Sequence, residues 1–192
     1  MKTLSSKQIA GIAILTALVI VLQAVGGTIS IGAVQLNFTL IPIVLGAIIY
    51  GAIAGAFLGL ACGVVVSIQV IMGLNPFYML IWTADPIVTI FTCIVKTTLA
   101  GLLAGILFEL LNKKSQTLAA FVAAGIVPIV NTGLFIVGCL FMTDSVYKLA
   151  EGQNVITFIL VGLVTFNFFI EFAINLIFSP AICRIIKAVS KF

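Results

Sequence analysis

Residues 87–111 read IVTIFTCIVKTTLAGLLAGILFELL, and this stretch decides the class of fold. A helix that crosses the hydrocarbon core of a bilayer needs about 20 apolar residues, and these residues form one long, mostly apolar run. Lys96 interrupts the run near its middle. A lysine at the centre of a membrane helix costs roughly 2.5 to 3.5 kcal/mol on insertion scales. Its side chain is therefore expected to face the protein interior or a wet cavity.

The composition of the whole chain agrees with a membrane protein. Its 192 residues are 63% hydrophobic and 7% charged, with a mean hydropathy of +1.40, whereas soluble proteins carry about 25% charged residues. The length suits one compact bundle, so residues 1–192 are predicted to form a single all-α transmembrane domain. The formal net charge of +4 requires no nucleic-acid partner, because basic residues at cytoplasmic helix ends account for it.

Breaks in the apolar pattern predict six membrane spans. They cover residues 8–25, 38–50, 52–72, 87–111, 118–142 and 155–186. The apolar N-terminal segment is long and more spans follow it, which favours a retained first helix over a signal peptide. The segment GTISIGAVQLN after the first span is predicted to be a loop or a short extended piece. GLNPFYMLIWTADP and TDSVYKLAEGQN are predicted to be loops.

The distribution of basic residues predicts the orientation in the membrane. Six spans place both termini on one side, and that side collects Lys2, Lys7, Lys113, Lys114, Arg184, Lys187 and Lys191. In the predicted loops on the opposite side, Lys148 is the one basic residue. This positive-inside bias predicts that both termini are cytoplasmic and that the three longer loops face outward.

Several chemistries have no residues to support them. The sequence has no histidine, and Cys62, Cys93, Cys139 and Cys183 lie far apart in apolar runs. A metal site is therefore not expected, and the cysteines are interpreted as packing residues. No P-loop, G-x-S-x-G or HExxH motif occurs. We expect neither an enzyme nor a bound cofactor.

Glycines recur every four residues at the start of the third span. Gly51, Gly55, Gly59 and Gly63 would lie on one helix face and let a neighbouring backbone approach closely. This pattern indicates either packing inside the bundle or a docking face for another membrane subunit. Spacing alone does not separate these interpretations.

Polar residues at membrane depth point to a possible site. Asn167, Glu171 and Asn175 are four apart on the sixth span. A rise of about 1.5 Å per residue places Lys96, Asn131 and Asn167 at similar depths, very roughly 15 to 18 Å from the outer ends. Lys96 either pairs with Glu171 and the amides, tying helices together, or lines a solute pocket. The two roles are compatible, and we favour the pocket.

The loop after the third span adds aromatic and polar groups. It contains Asn75, Phe77, Tyr78, the single tryptophan Trp82, and Asp85. Aromatic residues there are typical of an interfacial belt. They are equally suited to a lid that stacks on a planar or apolar solute.

The chain resembles the substrate-binding S components of energy-coupling factor (ECF) vitamin transporters over essentially its whole length. AILTA (residues 13–17) is similar to the family's AxxxA motif on the first helix. GAVQLNFTLIPIVLGAIIYGAIAGAFLG (32–59) is similar to the family's first loop, second helix and start of the third. KTTLAGLLAG (96–105) resembles a fourth-helix pattern of several members.

The resemblance implies a mechanism and partners. The S component captures a vitamin outside the cell and topples within the membrane. It docks on a transmembrane coupling subunit that carries two cytoplasmic ATPases. Ala13 and Ala17 would be the docking contacts in this multi-pass protein of the bacterial plasma membrane. No nucleic acid is implied.

The resemblance also implies where the vitamin binds. Family pockets are formed by the loops after the first and third helices and by helices four to six, which here suggests Gln35, Asn37, Asn75, Trp82, Lys96, Asn131, Asn167 and Glu171. The inward lysine and the amides suit pantothenate best. Riboflavin is the second choice, because residues 32–51 resemble that branch and Trp82 or Phe77 would stack on a flavin.

Two other classes of function remain open at the level of sequence. A small stand-alone channel or exchanger would move solute without any ATPase. A structural membrane subunit would bind no small molecule tightly, and replacing Lys96 would then lower stability alone.

Overall fold

The structure, a computed structural model, describes residues 5–26, 30–31, 34–35, 37–74, 76–142, 146–147, 154–159 and 165–189. Its elements follow in the order α1 (Ser6–Gly26), β1 (Ser30–Ile31), β2 (Val34–Gln35), α2 (Leu40–Tyr50), α3 (Ala52–Ile71), α4 (Pro76–Ala84), α5 (Pro86–Asn112), α6 (Gln116–Phe141), α7 (Val155–Thr157) and α8 (Thr165–Val189). Helices α1, α3, α5, α6 and residues 168–186 of α8 are long and apolar enough to cross a membrane, and α2 is a shorter apolar helix. This confirms an all-α polytopic membrane protein.

Local sequence fixes where several helices begin. At the start of α1, Ser5 Oγ accepts from the Gln8 backbone N–H and Gln8 Oε1 accepts from the Ser5 N–H, which is a reciprocal capping box. Asp85 caps α5 by accepting from the Val88 N–H, and a proline follows it at the first helical position. Ser115 caps α6 in the same manner. These caps satisfy backbone donors that the helices themselves leave unpaired.

The connections differ in part from the predicted loops. Residues 30–31 and 34–35 form a short antiparallel strand pair, which agrees with the predicted extended piece. The segment after α3 is not a simple loop, however, because residues 76–84 form the helix α4. Tyr78 and Ile81 lie three residues apart on α4 and are both buried, so packing of one helical face explains the difference. Asn75 and most of residues 143–153 lie outside the described residues.

The glycines of α3 pack against the backbone of α5. A Cβ atom added at Gly59 would lie 2.1 Å from the Thr97 carbonyl oxygen, and one added at Gly55 would lie 2.4 Å from the Gly101 carbonyl oxygen. Only residues without a side chain allow two helix backbones to approach so closely. The glycine face is therefore an internal packing surface. The alternative interpretation, a docking face for another subunit, is wrong.

The same contacts show that α3 and α5 run antiparallel. A Cβ atom at Gly105, near the end of α5, would meet Ala52 at the start of α3, whereas one at Gly63 would meet Ile94. Two ends of the bundle can thus be named. The α4 end is where α3 and α6 end and α5 begins, and the basic end is its opposite. Exposed basic residues at the basic end are Lys7, Lys113, Lys114 and Arg184.

Helix α1 lies at the edge of the bundle. It packs against α2 and α3 and buries only Val19, Gln23 and Gly26. Ala13 and Ala17, the predicted docking residues, are exposed on it. An exposed, uncharged face is compatible with either lipid or a protein partner in the membrane.

We expect Gly59→Ala to lower the apparent melting temperature of the detergent-purified protein, because the new methyl group overlaps the α5 backbone and overpacking costs about 1–3 kcal/mol. The matched control is Gly133→Ala in α6, where an added Cβ meets nothing within 4 Å. That variant should be unchanged or slightly more stable. Equal melting temperatures for the two variants would contradict the assigned α3–α5 contact.

Candidate functional site

The charged group at the centre of the site is the ammonium of Lys96. It lies ten residues into α5, about 15 Å from the start of the helix, and its side chain is 6% exposed. Lys96 Nζ donates to the Tyr78 hydroxyl of α4 at 2.8 Å. The rings of Tyr78 and Phe135 lie with their centroids 5.3 and 5.2 Å from the same nitrogen. Two aromatic rings and one hydroxyl therefore stabilise a cation removed from water.

Glu171 meets a different partner. Its side chain is 7% exposed, and its Oε1 accepts from the Asn37 backbone N–H at 2.8 Å. The predicted pairing of Lys96 with Glu171 is not a direct contact among the described residues, because the hydrogen-bond partner of the lysine is Tyr78. The two charges interact electrostatically over a longer distance. Each thus compensates the other in part without being immobilised by it.

A chain of polar contacts runs from the middle of α3 to the α4 end of the bundle. Asn37 Oδ1 accepts from the Thr39 hydroxyl, and Thr39 Oγ1 lies 3.1 Å from Cys62 Sγ. The Cys62 thiol donates to Gln23 Oε1 at 3.8 Å, and Gln23 Nε2 donates to Gln69 Oε1 at 2.9 Å. Gln69 Nε2 returns a bond to the Gln23 carbonyl oxygen at 3.1 Å. The chain joins α1 and α3 to the segment that precedes α2.

Two buried amide oxygens have no hydrogen-bond partner among the described residues. They are Asn131 Oδ1 on α6 and Asn175 Oδ1 on α8. Asn131 lies one helical turn before Phe135, so both side chains leave the same face of α6, and the Phe135 ring contacts Lys96. A buried acceptor left unpaired costs about 1–3 kcal/mol. Asn131 is therefore suited to accept a hydrogen bond from a solute or a water molecule.

The structure places the other predicted site residues as follows. Trp82 is half-buried on α4 and packs against the core. Gln35 lies in β2 and Asn167 lies in α8 one turn before Glu171, with both side chains outside the description. Asn75 lies outside the described residues altogether.

Sequence reasoning missed several members of the site. Gln23 and Gln69 are polar residues inside apolar spans, and that signal was available. The contacts of Tyr78 and Phe135 with Lys96 carried no such signal, because aromatic residues near a membrane interface are ordinary.

Comparison with known proteins identifies the class to which this architecture belongs. A family model described as "ECF transporter, substrate-specific component" matches residues 7–183. The chain belongs to this family and is a substrate-binding subunit of an ECF transporter, which is a transport component and not an enzyme class. Such components bind small-molecule substrates and work with a membrane coupling subunit and ATPases. No curated protein matches the chain.

We expect Gln23→Leu and Gln69→Leu each to lower the apparent melting temperature, because each leaves one buried amide atom of the partner, Gln69 Oε1 or Gln23 Nε2, without its hydrogen bond at a cost of about 1–3 kcal/mol. The double variant removes both amides, so its melting temperature should fall by less than the sum of the two single decreases. Thermal unfolding of all three variants and the wild type in detergent completes this cycle. Strictly additive losses would contradict a direct amide pair.

Proposed function

We propose that this protein is the high-affinity capture subunit of an ATP-driven vitamin transporter in a bacterial plasma membrane. It takes a water-soluble vitamin from outside the cell at the α4 end of the bundle. A separate coupling subunit with two ATPases then completes the uptake. One observation carries the proposal within this family. Lys96 is a buried cation with aromatic and hydroxyl neighbours, on the helix adjacent to the unpaired acceptor of Asn131.

The proposed pocket uses the residues that the family likeness selected. Its members are Gln35, Asn37, Asn75, Trp82, Lys96, Asn131, Asn167 and Glu171. Lys96 and Asn131 are proposed as the central contacts because both are buried and both have capacity for further hydrogen bonds. An ammonium has three donors, and the structure assigns one of them to Tyr78.

The chemistry of these two groups favours pantothenate as the vitamin. Its carboxylate accepts from the Lys96 ammonium, and its hydroxyl and amide donors suit an acceptor such as Asn131 Oδ1. Charge-assisted hydrogen bonds of this type are roughly twice as strong as neutral ones. Riboflavin is the second candidate, because Trp82 is a half-buried aromatic residue on α4 and residues 32–51 resemble the riboflavin branch.

The first experiment is a titration of the purified protein with pantothenate, riboflavin and other vitamins. Fluorescence of Trp82, the only tryptophan, reports binding, calorimetry confirms it, and mass spectrometry identifies any co-purified solute. Saturation by one vitamin at nanomolar to low micromolar concentration supports the proposal. If none of the three measurements detects a ligand, a structural subunit is favoured. If the protein alone moves solute across vesicles without ATPases, a channel or exchanger is favoured.

We expect Lys96→Met and Asn131→Ala to weaken vitamin binding about tenfold or more while the protein stays folded, because each removes a polar contact from a buried position. Lys113→Met is the matched control, since Lys113 is an exposed lysine at the far end of the same helix. Calorimetric titration measures all three affinities. Unchanged affinity in both pocket variants would place the vitamin elsewhere.

We expect Ala13→Leu combined with Ala17→Leu to leave vitamin affinity unchanged and to abolish uptake, because larger side chains on an exposed helix face obstruct a close helix–helix contact. Ala173→Leu, on the exposed surface of α8, is the matched control and should transport normally. Uptake by whole cells and binding by purified protein separate the two effects. Normal uptake by the double variant would remove α1 from the docking surface.

A further inference from the structure

The segment 37–39 lies between the strand pair and α2, and a hydrogen bond connects it to α8. The Asn37 N–H donates to Glu171 Oε1 at 2.8 Å across 134 positions of sequence. The Asn37 side chain then accepts from the Thr39 backbone N–H at 3.2 Å and from its hydroxyl. An asparagine that bonds the backbone two residues ahead forms a compact turn. The Glu171 carboxylate on α8 therefore stabilises the turn through the Asn37 N–H, and the Asn37 side chain stabilises it through hydrogen bonds within the turn.

This turn covers a thiol. Thr39 and Cys62 are both fully buried, and the Thr39 hydroxyl lies 3.1 Å from Cys62 Sγ. Thr39 also comes directly before α2, so displacement of the turn would remove the Thr39 hydroxyl from the Cys62 thiol. The thiol is thus a native reporter of whether the turn is in place.

The chemistry of Glu171 suits a fastening role. Burying a carboxylate costs free energy unless hydrogen-bond donors or opposite charges stabilise it. Here a backbone N–H donates directly, and the charge of Lys96 acts from a greater distance. Fixing a turn through a backbone donor requires an acceptor of the right length at position 171. It does not require a negative charge.

We propose that Glu171 is a positioning residue of the pocket. It holds residues 37–39 in place through the Asn37 N–H and supports substrate affinity by that route rather than by touching the substrate. This inference rests on the proposed function for its link to a substrate, whereas the fastening itself does not. In this proposal Glu171 hydrogen-bonds the protein backbone, whereas Lys96 hydrogen-bonds the solute.

Two substitutions separate positioning from direct contact. Glu171→Gln keeps an acceptor of the same length without the charge, and Glu171→Met keeps the length without an acceptor. Positioning predicts an affinity for pantothenate, or for the vitamin that the titration identifies, within about fivefold of wild type in the Gln variant. It predicts a loss of about tenfold or more in the Met variant. An equally large loss in both variants would overturn the proposal, because the charge itself would then be required.

Thiol accessibility tests the fastening without any vitamin. The protein in detergent is treated with a water-soluble maleimide, and mass spectrometry follows labelling of Cys62 against Cys93, Cys139 and Cys183, which are also buried. Cys62 alone should react faster in the Met variant, by about tenfold or more, and remain protected in the Gln variant. Equal exposure of all four cysteines in the Met variant would overturn the proposal, since Glu171 would then be a requirement of the whole fold. Unchanged protection of Cys62 would overturn it as well.

The affinity measurement and the labelling measurement test the proposed function and the positioning role separately. If no vitamin binds to the wild type but Cys62 is uncovered only in Glu171→Met, the proposed function fails and the fastening stands. If a vitamin binds tightly and Cys62 stays protected in both variants, the function stands and the positioning role fails. Should the Met variant not fold, a loss of more than fivefold in Glu171→Gln overturns the positioning role, and a smaller loss supports it.

Discussion

The close contact between the backbones of α3 and α5 positions the helices that carry the candidate site. In lipid, helices gain little from burying apolar side chains against each other, so close packing must supply the attraction. Gly55 and Gly59 let α3 approach the carbonyl groups of Gly101 and Thr97. Lys96 is the neighbour of Thr97 in sequence, and the contact therefore fixes both the depth and the direction of its side chain. The Tyr78 hydroxyl and the Phe135 ring are then within reach.

Buried polar groups lie between the middle of the bundle and its α4 end, where hydrogen bonds connect different helices. The amide pair of Gln23 and Gln69 joins α1 to α3 near their shared end. Ala13 lies about 15 Å further along α1 and is exposed. One helix can therefore be fastened at one end and still present its remaining surface to a membrane partner. Under the proposed function, this separation keeps the proposed solute site and the proposed docking surface apart.

The separation of Lys96 from Glu171 leaves the lysine with donors that its hydrogen bond to Tyr78 does not use. A direct ion pair would neutralise the lysine and occupy its donors, as buried pairs do when their geometry is good. The carboxylate instead accepts from the backbone of Asn37, and the lysine keeps hydrogen-bonding capacity beyond Tyr78. Under the proposed function, this capacity of the substrate-specific component is available to a bound vitamin.

Membrane residence, the helical class, most spans and the family likeness were predictable from the amino-acid sequence, because they follow from hydropathy, length and local pattern. From the sequence, site roles are also predicted for Lys96, Asn131 and Glu171, since charged and amide groups at membrane depth are rarely without a role, and these roles stay predictions. The sequence predicted a loop where α4 forms, and it left the glycine face of α3 ambiguous. Tertiary structure alone decided that this face packs inside, that Lys96 meets Tyr78, and that Glu171 reaches Asn37. Those contacts join residues up to 134 positions apart, and local periodicity contains no information about which helix faces become neighbours.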